Sequence, residues 1–340
     1  MFSTAGEVRK LFSNFERLKV LIVGDVMIDT YLKGSVDRIS PEAPVPVVAL
    51  MQREDMLGGA ANVALNIKSM GAEPLLCSVI GDDVQGAGFL KLLEKEEIGF
   101  AGILKTSGRI TTTKYRIIGN KMQMLRVDNE TDKDLNREEE KLLLSRIKEM
   151  VGNEKPDVII LQDYNKGVLT PAVIEGITQL ARKVKIPVVV DPKRKNFTAY
   201  HSVSLIKPNL KEIREGLKID VDPKSESSLQ AAADLIHISQ KIETVMITLS
   251  DEGVFVSHRK GQTNDSAIVK AHVRTIADVS GAGDTVISVA ALCVASNLPF
   301  ESMAVLANLA GGLVCEQVGV VPVNKQGLLK ETVSLLSTKL

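Results

Sequence analysis

Val20-Leu-Ile-Val-Gly-Asp25 is a short, unbroken apolar run that stops at a glycine and a carboxylate. Runs of the same kind recur at 74–81, 157–163, 187–191, 205–208 and 244–249. Continuous apolar runs of this length predict strands buried on both faces. Between them lie segments with apolar residues at helical spacing, at 59–70, 84–97, 135–150, 170–184 and 225–239. Later, Val286-Ile-Ser-Val-Ala-Ala-Leu-Cys-Val-Ala-Ser296 is apolar all round, which predicts a buried helix. Strands alternating with helices predict an α/β fold, a mostly parallel central sheet with helices on both faces. Ligands of such sheets bind outside the carboxyl ends of the strands. Asp25, Asp163, Asp191 and Asn209 end predicted strands, although any one of them alone also fits an ordinary strand terminus.

Two segments break the alternation. Residues 34–51 carry Pro41, Pro44 and Pro46 before Val47-Val-Ala-Leu50, and residues 108–128 are rich in β-branched side chains around Gly119-Asn120. Gly119-Asn120 predicts a hairpin turn. Both segments read as strands of a small β-sheet outside the main one, a lid that would exclude water from a reaction at the strand ends. The alternative is an antiparallel extension of the main sheet. With no internal repeat and no low-complexity stretch, residues 1–340 read as a single domain carrying that lid.

Composition narrows the class. The chain has 340 residues, 44% of them hydrophobic, enough for one large core. Its 42 basic and 42 acidic residues cancel, so the basic excess of a nucleic-acid binder is missing. Cys77, Cys293 and Cys315 sit far apart in apolar surroundings, which suits buried thiols in a reducing compartment. The first ten residues are amphipathic and charged, unlike a signal peptide, and no apolar run reaches the roughly 18 residues of a membrane span. A soluble cytoplasmic protein is expected.

The chemistry gathers at Asp278-Val-Ser-Gly-Ala-Gly-Asp-Thr285, directly before the buried helix. Helix starts expose unpartnered N–H groups and partial positive charge. With only glycine and alanine at Gly281, Ala282 and Gly283, an anion can approach those groups closely. That suits charge developing on a transferring phosphoryl group, and Asp284 beside it can take a proton from an attacking hydroxyl. Ordinary helix capping by Asp284 reads the same pattern equally well. No Gly-Lys dipeptide occurs, so there is no Walker A loop, and no complete Gly-x-Gly-x-x-Gly follows the first strand. A second glycine-led helix start is Leu57-Gly-Gly-Ala-Ala-Asn62. Gly58 and Gly59 allow close backbone approach there, and the Asn62 amide can both donate to and accept from sugar hydroxyls. Tight helix–sheet packing explains the same glycines.

These two segments, in this order and well separated, resemble the two signatures of the ribokinase (PfkB) family of sugar and nucleoside kinases. The resemblance implies that the amides of Gly281, Ala282 and Gly283 form an anion hole and that Asp284 is the catalytic base. It implies that Gly58, Gly59 and Asn62 bind the sugar. It implies ATP as phosphoryl donor and Mg2+ as cofactor. Gly24-Asp25-Val-Met-Ile-Asp29 resembles the family's first-strand motif, in which Asp29 grips sugar hydroxyls. Asn209-Leu-Lys-Glu212 resembles its Asn-x-x-Glu element, with Asn209 near the nucleotide and Glu212 near magnesium, acting through water. A helix capping box has the same spacing. Thr248-Leu-Ser-Asp-Glu-Gly253 resembles the nucleotide turn, with Thr248, Ser250 and Gly253 as contacts, but Ser250 stands where a glycine is usual. Asn308 falls where the family lines the adenine pocket, or is one polar residue of an ordinary buried helix.

Within the family, Arg38-Ile-Ser-Pro-Glu-Ala-Pro-Val-Pro-Val48 and Asp163-Tyr-Asn-Lys-Gly167 resemble the branch that phosphorylates heptose 7-phosphates. The likeness runs from about residue 10 to 325. It implies transfer of the ATP γ-phosphate to the anomeric hydroxyl of D-glycero-β-D-manno-heptose 7-phosphate, toward ADP-heptose and lipopolysaccharide inner core. Many members of this branch continue into an adenylyltransferase with a His-x-Gly-His motif. His201, His237, His258 and His272 are not so spaced and the sequence ends at Leu340, so a stand-alone kinase with a separate adenylyltransferase is expected. Asp163 joins the expected sugar site. For the substrate's own phosphate, Lys193 is the first candidate, with Lys166 and Arg116 behind it. Each is equally readable as a solvated surface charge. A lid with exposed apolar faces suggests a homodimer. The remaining alternatives are another sugar, sugar-phosphate or nucleoside kinase of the family, and a sugar-binding regulator without turnover.

Overall fold

The computed structural model describes residues 4–261, 263–272 and 274–337. Helix α1 (Ala5–Phe15) leads into β1 (Lys19–Gly24). A long hairpin follows, β2 (Val26–Ile39) and β3 (Pro46–Gly59), then α2 (Ala60–Ser69), β4 (Glu73–Gly81), α3 (Val84–Lys95) and β5 (Gly102–Thr106). A second hairpin, β6 (Thr113–Gly119) and β7 (Met122–Asn129), precedes α4 (Arg137–Glu154), β8 (Val158–Gln162), α5 (Pro171–Val184) and β9 (Val188–Asp191). Next come β10 (Leu205–Ile206), α6 (Leu210–Leu217), α7 (Glu226–Gln240) and β11 (Thr244–Thr248). The chain then runs through β12 (Val254–Lys260), β13 (Thr263–Val269), α8 (Ala282–Ala295), α9 (Phe300–Cys315) and α10 (Lys325–Ser337).

Among the described residues, nine strands form the main sheet in the order β13-β12-β11-β10-β9-β8-β1-β4-β5. The seven from β11 to β5 run parallel, and β12 and β13 extend the sheet antiparallel. The continuous apolar runs follow from burial on both faces. Val20 and Ile22 of β1 enter one core with α1, α2, α8 and α9, while Leu21 and Val23 enter the other with α4, α5 and α7. All four are fully buried, each worth about 1.5–3 kcal/mol by transfer from water. The chain begins the sheet at β1, builds β4 and β5 on one side, then crosses to β8 and continues outward. The order therefore reverses between β1 and β8, the point of such a sheet at which ligands bind beyond the strand ends.

The remaining four strands form a separate sheet, β3-β2-β6-β7. It begins at Val26, earlier than the sequence suggested, because β2 continues almost directly from β1. The antiparallel extension weighed for residues 34–51 and 108–128 is instead made by β12 and β13. The second hairpin turns at Asn120-Lys121, with φ of 50° and 68°, one residue beyond the predicted turn. Both turn positions are left-handed, as a two-residue hairpin with right-twisted strands requires.

Candidate active site

Two glycine-led helix starts meet at the crevice. Gly59 precedes α2 with φ 61°, and Gly281 precedes α8 with φ 80°. Asn62 and Asp284 are each the third residue of their helix. The Asn62 Nδ2 donates to Asp284 Oδ2 at 2.7 Å. The approach is close enough that a Cβ on Gly281 would lie 3.1 Å from that nitrogen. Below them, Asn66 joins the helices by accepting from Thr285 Oγ1 at 2.9 Å and donating to the Asn62 carbonyl at 3.0 Å.

Strand ends supply the other side. Gln162, last in β8, donates through Nε2 to Asp284 Oδ1 at 3.1 Å and to Asp191 Oδ2 at 3.2 Å. Two residues on, the Tyr164 hydroxyl donates to Asp284 Oδ1 at 2.5 Å. Asp284 is 5% exposed and thus accepts three protein hydrogen bonds. Burial pushes its carboxyl up to about 6, against the pull of Tyr164 and Asn62 on the charged form. A carboxyl tuned to that range is ionised at neutral pH yet basic enough to take a proton. Three buried acceptors here have no hydrogen-bond partner: Asn62 Oδ1, Gln162 Oε1 and Asp191 Oδ1. Such orphans are costly in a closed core and suit donors brought by ligands.

Asp25 shapes this crevice without facing it. It accepts from the backbone N–H groups of Tyr164, Lys166 and Val168 at 2.8, 3.1 and 3.0 Å, pinning the loop after β8. Burial, then the neighbouring Asp163, pushes it up to about 6. Asp163 also turns inward. Its oxygens accept from Asn165 N, Asn196 Nδ2 and Tyr200 Oη at 2.8, 3.1 and 2.7 Å. That leaves it holding the loop rather than open to a sugar.

The other expected residues fall into three groups. Asp29, on β2, pairs with Arg116 of the parallel neighbour β6 at 2.5 Å. Gly58, on β3, must lack a side chain, since a Cβ there would collide with the Asp29 carboxylate, and one on Gly59 would meet the Asp25 carbonyl. Lys166 pairs with Glu130 at 2.6 Å, beyond the end of β7. Lys193 departs from the expected distal position. It pairs with Glu212, lies 3.8 Å from Asp191 and sits over the Tyr164 ring, 5.5 Å from its centre. Burial lowers and these carboxylates raise its pKa, with a net upward shift. Lys193 and Glu212, read from sequence as serving opposite ends of the substrates, are thus direct partners, close enough to Asp284 for its charge to act on Lys193.

Asn209 and Glu212 form a reciprocal capping box on α6, with bonds of 2.9 and 2.8 Å. Thr248 bridges to Asn209 across the strand ends. Ser250 takes the left-handed φ of 60°, which explains why a glycine suits that turn, and Gly253 (φ 101°) has no room for a Cβ against the Val269 carbonyl. Asn308 donates to the Lys270 carbonyl at 2.9 Å, one residue further along that chain. Thr248, Ser250, Gly253 and Asn308 therefore flank one edge, away from Asp29 and Arg116. Sequence reasoning missed Gln162 and Tyr164, which hold Asp284. Tyr164 lay inside a motif that had been noticed, yet nothing local revealed its partner.

Residues 17–326 match the model of the pfkB family carbohydrate kinases, and the chain belongs to that family. It is a sugar kinase. Among curated relatives, the Bifunctional protein HldE of Methylobacillus flagellatus is 40% identical over 312 residues, covering 92% of this chain and 62% of that protein. The Bifunctional protein HldE of Helicobacter pylori is 38% identical over 301 residues, covering 88% and 63%. The chain spans a little over three fifths of the length of these relatives. The fold is ribokinase-like. Escherichia coli phosphofructokinase-2 in complex with fructose-6-phosphate superposes with a TM-score of 0.72 at 19% identity, covering 94% of this chain and 99% of that one. Arabidopsis thaliana ribokinase complexed with ribose and ATP gives 0.68 at 14%, covering 92% and 98%.

Proposed function

We propose that this chain transfers the γ-phosphoryl group of ATP to the anomeric hydroxyl of D-glycero-β-D-manno-heptose 7-phosphate, for ADP-heptose and lipopolysaccharide inner-core synthesis. The observation that carries the kinase chemistry is the buried Asp284 at the glycine-led start of α8, held by Asn62, Gln162 and Tyr164. The choice of sugar is supported by the 38–48 and 163–167 motifs and by the HldE relatives. Asp284 takes the proton as the anomeric oxygen forms its bond to phosphorus. The bond from phosphorus to the bridging oxygen breaks, and ADP leaves. Amides of Gly281 and Gly283, joined by Ala282 once its 3.3 Å bond to the Val279 carbonyl opens, stabilise the charge on the transferring group. Asp29, Asn62 and the neighbouring Gly58-Gly59 backbone orient the sugar, and the edge at Thr248, Ser250, Gly253 and Asn308 takes the nucleotide, with Asn209 between.

Magnesium fits as an ion held mainly through water and phosphate. Among the described residues no cluster of three acidic, His or Cys side chains could cage a metal, but Asp191 Oδ1, which has no hydrogen bond, and the adjoining Glu212 can accept from bound waters. Its charge would neutralise the phosphates. Arg116 and Lys166 remain the cations for the substrate's own phosphate, on the side of the small sheet. That sheet serves as the lid of a single kinase unit. Its exposed Met51, Met122 and Leu125, at 79%, 69% and 56%, favour a homodimer formed through it. Adenylyl transfer would come from another catalytic unit. Among the described residues no helix is long and apolar enough to cross a membrane, and we place the reaction in the cytoplasm.

Phosphorus NMR of the protein with ATP, magnesium and the heptose 7-phosphate, beside a panel of other sugars, tests the proposal. An anomeric phosphate signal specific to the heptose supports it. A signal only with another sugar would overturn the substrate and leave the kinase chemistry standing.

A further inference from the structure

Lys207 follows β10 and is only 3% exposed. Its ammonium lies 3.2 Å from Asp191 Oδ2. It also faces α8, since a Cβ built on Gly283 would come within 3.6 Å of that nitrogen. A buried cation against the positive end of a helix is an unfavourable arrangement by itself. Asp191 offsets part of it, but shares the same oxygen with Gln162 and has Lys193 at 3.8 Å from the other. Two ammonium groups and a helix start thus converge beside Asp284. Such convergence suits a compact group carrying more than one negative charge.

We infer that Lys207 is a catalytic residue whose ammonium contacts the transferring phosphoryl group on the Gly283 side, with Asp191 as its positioning partner. This rests on the phosphoryl-transfer reading of Gly281–Asp284. Lys207 takes no part in proton transfer; Asp284 receives the proton released by the sugar. Asp191 holds the side chain extended across the strand ends, and Gln162 links that carboxylate to the base. The absent side chain at Gly283 leaves the ammonium a clear approach to the oxygens bound by the helix amides. Lys193, more open and paired with Glu212, is left to the phosphates nearer the nucleotide.

The test compares wild type with Lys207→Met and with the double variant Asp191→Asn/Lys207→Met, which removes the uncompensated carboxylate should the single variant fold poorly. Titration calorimetry with ADP and magnesium, with and without aluminium fluoride, measures affinity for the product and for a mimic of the planar phosphoryl group. The heptose 7-phosphate is present throughout. Wild type should bind the fluoride complex at least about tenfold more tightly than ADP alone. In both variants that increment should largely vanish and kcat should fall by about 10²–10³, while in Lys207→Met, which keeps Asp191, ADP affinity should stay within about threefold. An increment retained in a folded variant, or ADP affinity falling in parallel, would overturn the role of Lys207 alone. No increment in wild type would overturn the phosphoryl-transfer reading and this inference with it.

Discussion

Replacing Tyr164 by phenylalanine removes one oxygen and little else. The ring stays beneath Lys193, whose nitrogen is 5.5 Å from its centre, so the cation–π contact survives. What disappears is the 2.5 Å bond to Asp284 Oδ1, the strongest of the contacts that hold this carboxyl in its charged form. A hydrogen bond to an ionised group is worth about 1.5–3 kcal/mol. One pKa unit corresponds to about 1.4 kcal/mol of difference between the two protonation states. Asp284, pushed up to about 6 by burial in the wild type, should therefore rise by about one to two units in the variant. At pH 7 the ionised fraction of the base would fall from about nine tenths to between about half and a tenth.

The assay is the pH profile of kcat/KM, which reports the free enzyme's base, measured from pH 5 to 9.5 by coupled detection of ADP. The substrate phosphates titrate in the same range, but identically for both proteins, so the displacement between the two curves isolates Asp284. The acid limb of Tyr164→Phe should move to higher pH, with wild-type rates approached above pH 9. A curve lowered uniformly with its limb unmoved would assign Tyr164 a purely spatial role. A limb shifted to lower pH would refute the electrostatic reasoning outright.

Asp284→Asn should lower kcat by about 10²–10⁴ while KM changes by no more than a few-fold, as initial rates will show. The same change should stabilise the fold at pH 8. Asp25 and Asp284 are pushed up to about 6 from 3.8, so the folded chain holds their protons more tightly than the unfolded one. Stability contributed by each is then absent above pH 6 and grows as pH falls toward 4. Denaturant titrations at pH 8 and 5 should show a gain on acidification that is smaller in Asp284→Asn, by about 1.4 kcal/mol. Ser250→Gly relieves the left-handed backbone at φ 60° and should add about 1 kcal/mol or less, the freer unfolded chain offsetting part of the gain; unchanged or lowered melting would contradict this. Leu125→Glu on the small sheet should lower the sedimentation coefficient to that of a monomer if that sheet forms the dimer interface.

The elements of the main sheet could be read directly because burial on both faces leaves a pattern that survives in one dimension. The runs predicted at 20–25, 74–81 and 244–249 correspond to β1, β4 and β11 within a residue at either end. Elements with one wet face left a weaker mark. Helix α1, the short edge strand β5 and the hairpin of β12 and β13 were not singled out, since their polar faces blur into loops. The candidate site divides in the same way. Gly281-Ala282-Gly283-Asp284 and Gly58-Gly59-x-x-Asn62 are contiguous, so their chemistry can be read where it stands. Gln162, Asp191 and Lys207 come from the ends of three adjacent parallel strands, far apart in sequence, and the sheet order alone makes them neighbours. Charge pairing is equally non-local. A lysine after a strand end, such as Lys193, offers a free cation for a phosphate until the fold sets Glu212 against it. Asp284, the proposed base, is governed by this division. Its position follows from four consecutive residues, but its proton affinity depends on burial and on Asn62, Tyr164 and Lys207, each supplied by a different part of the chain.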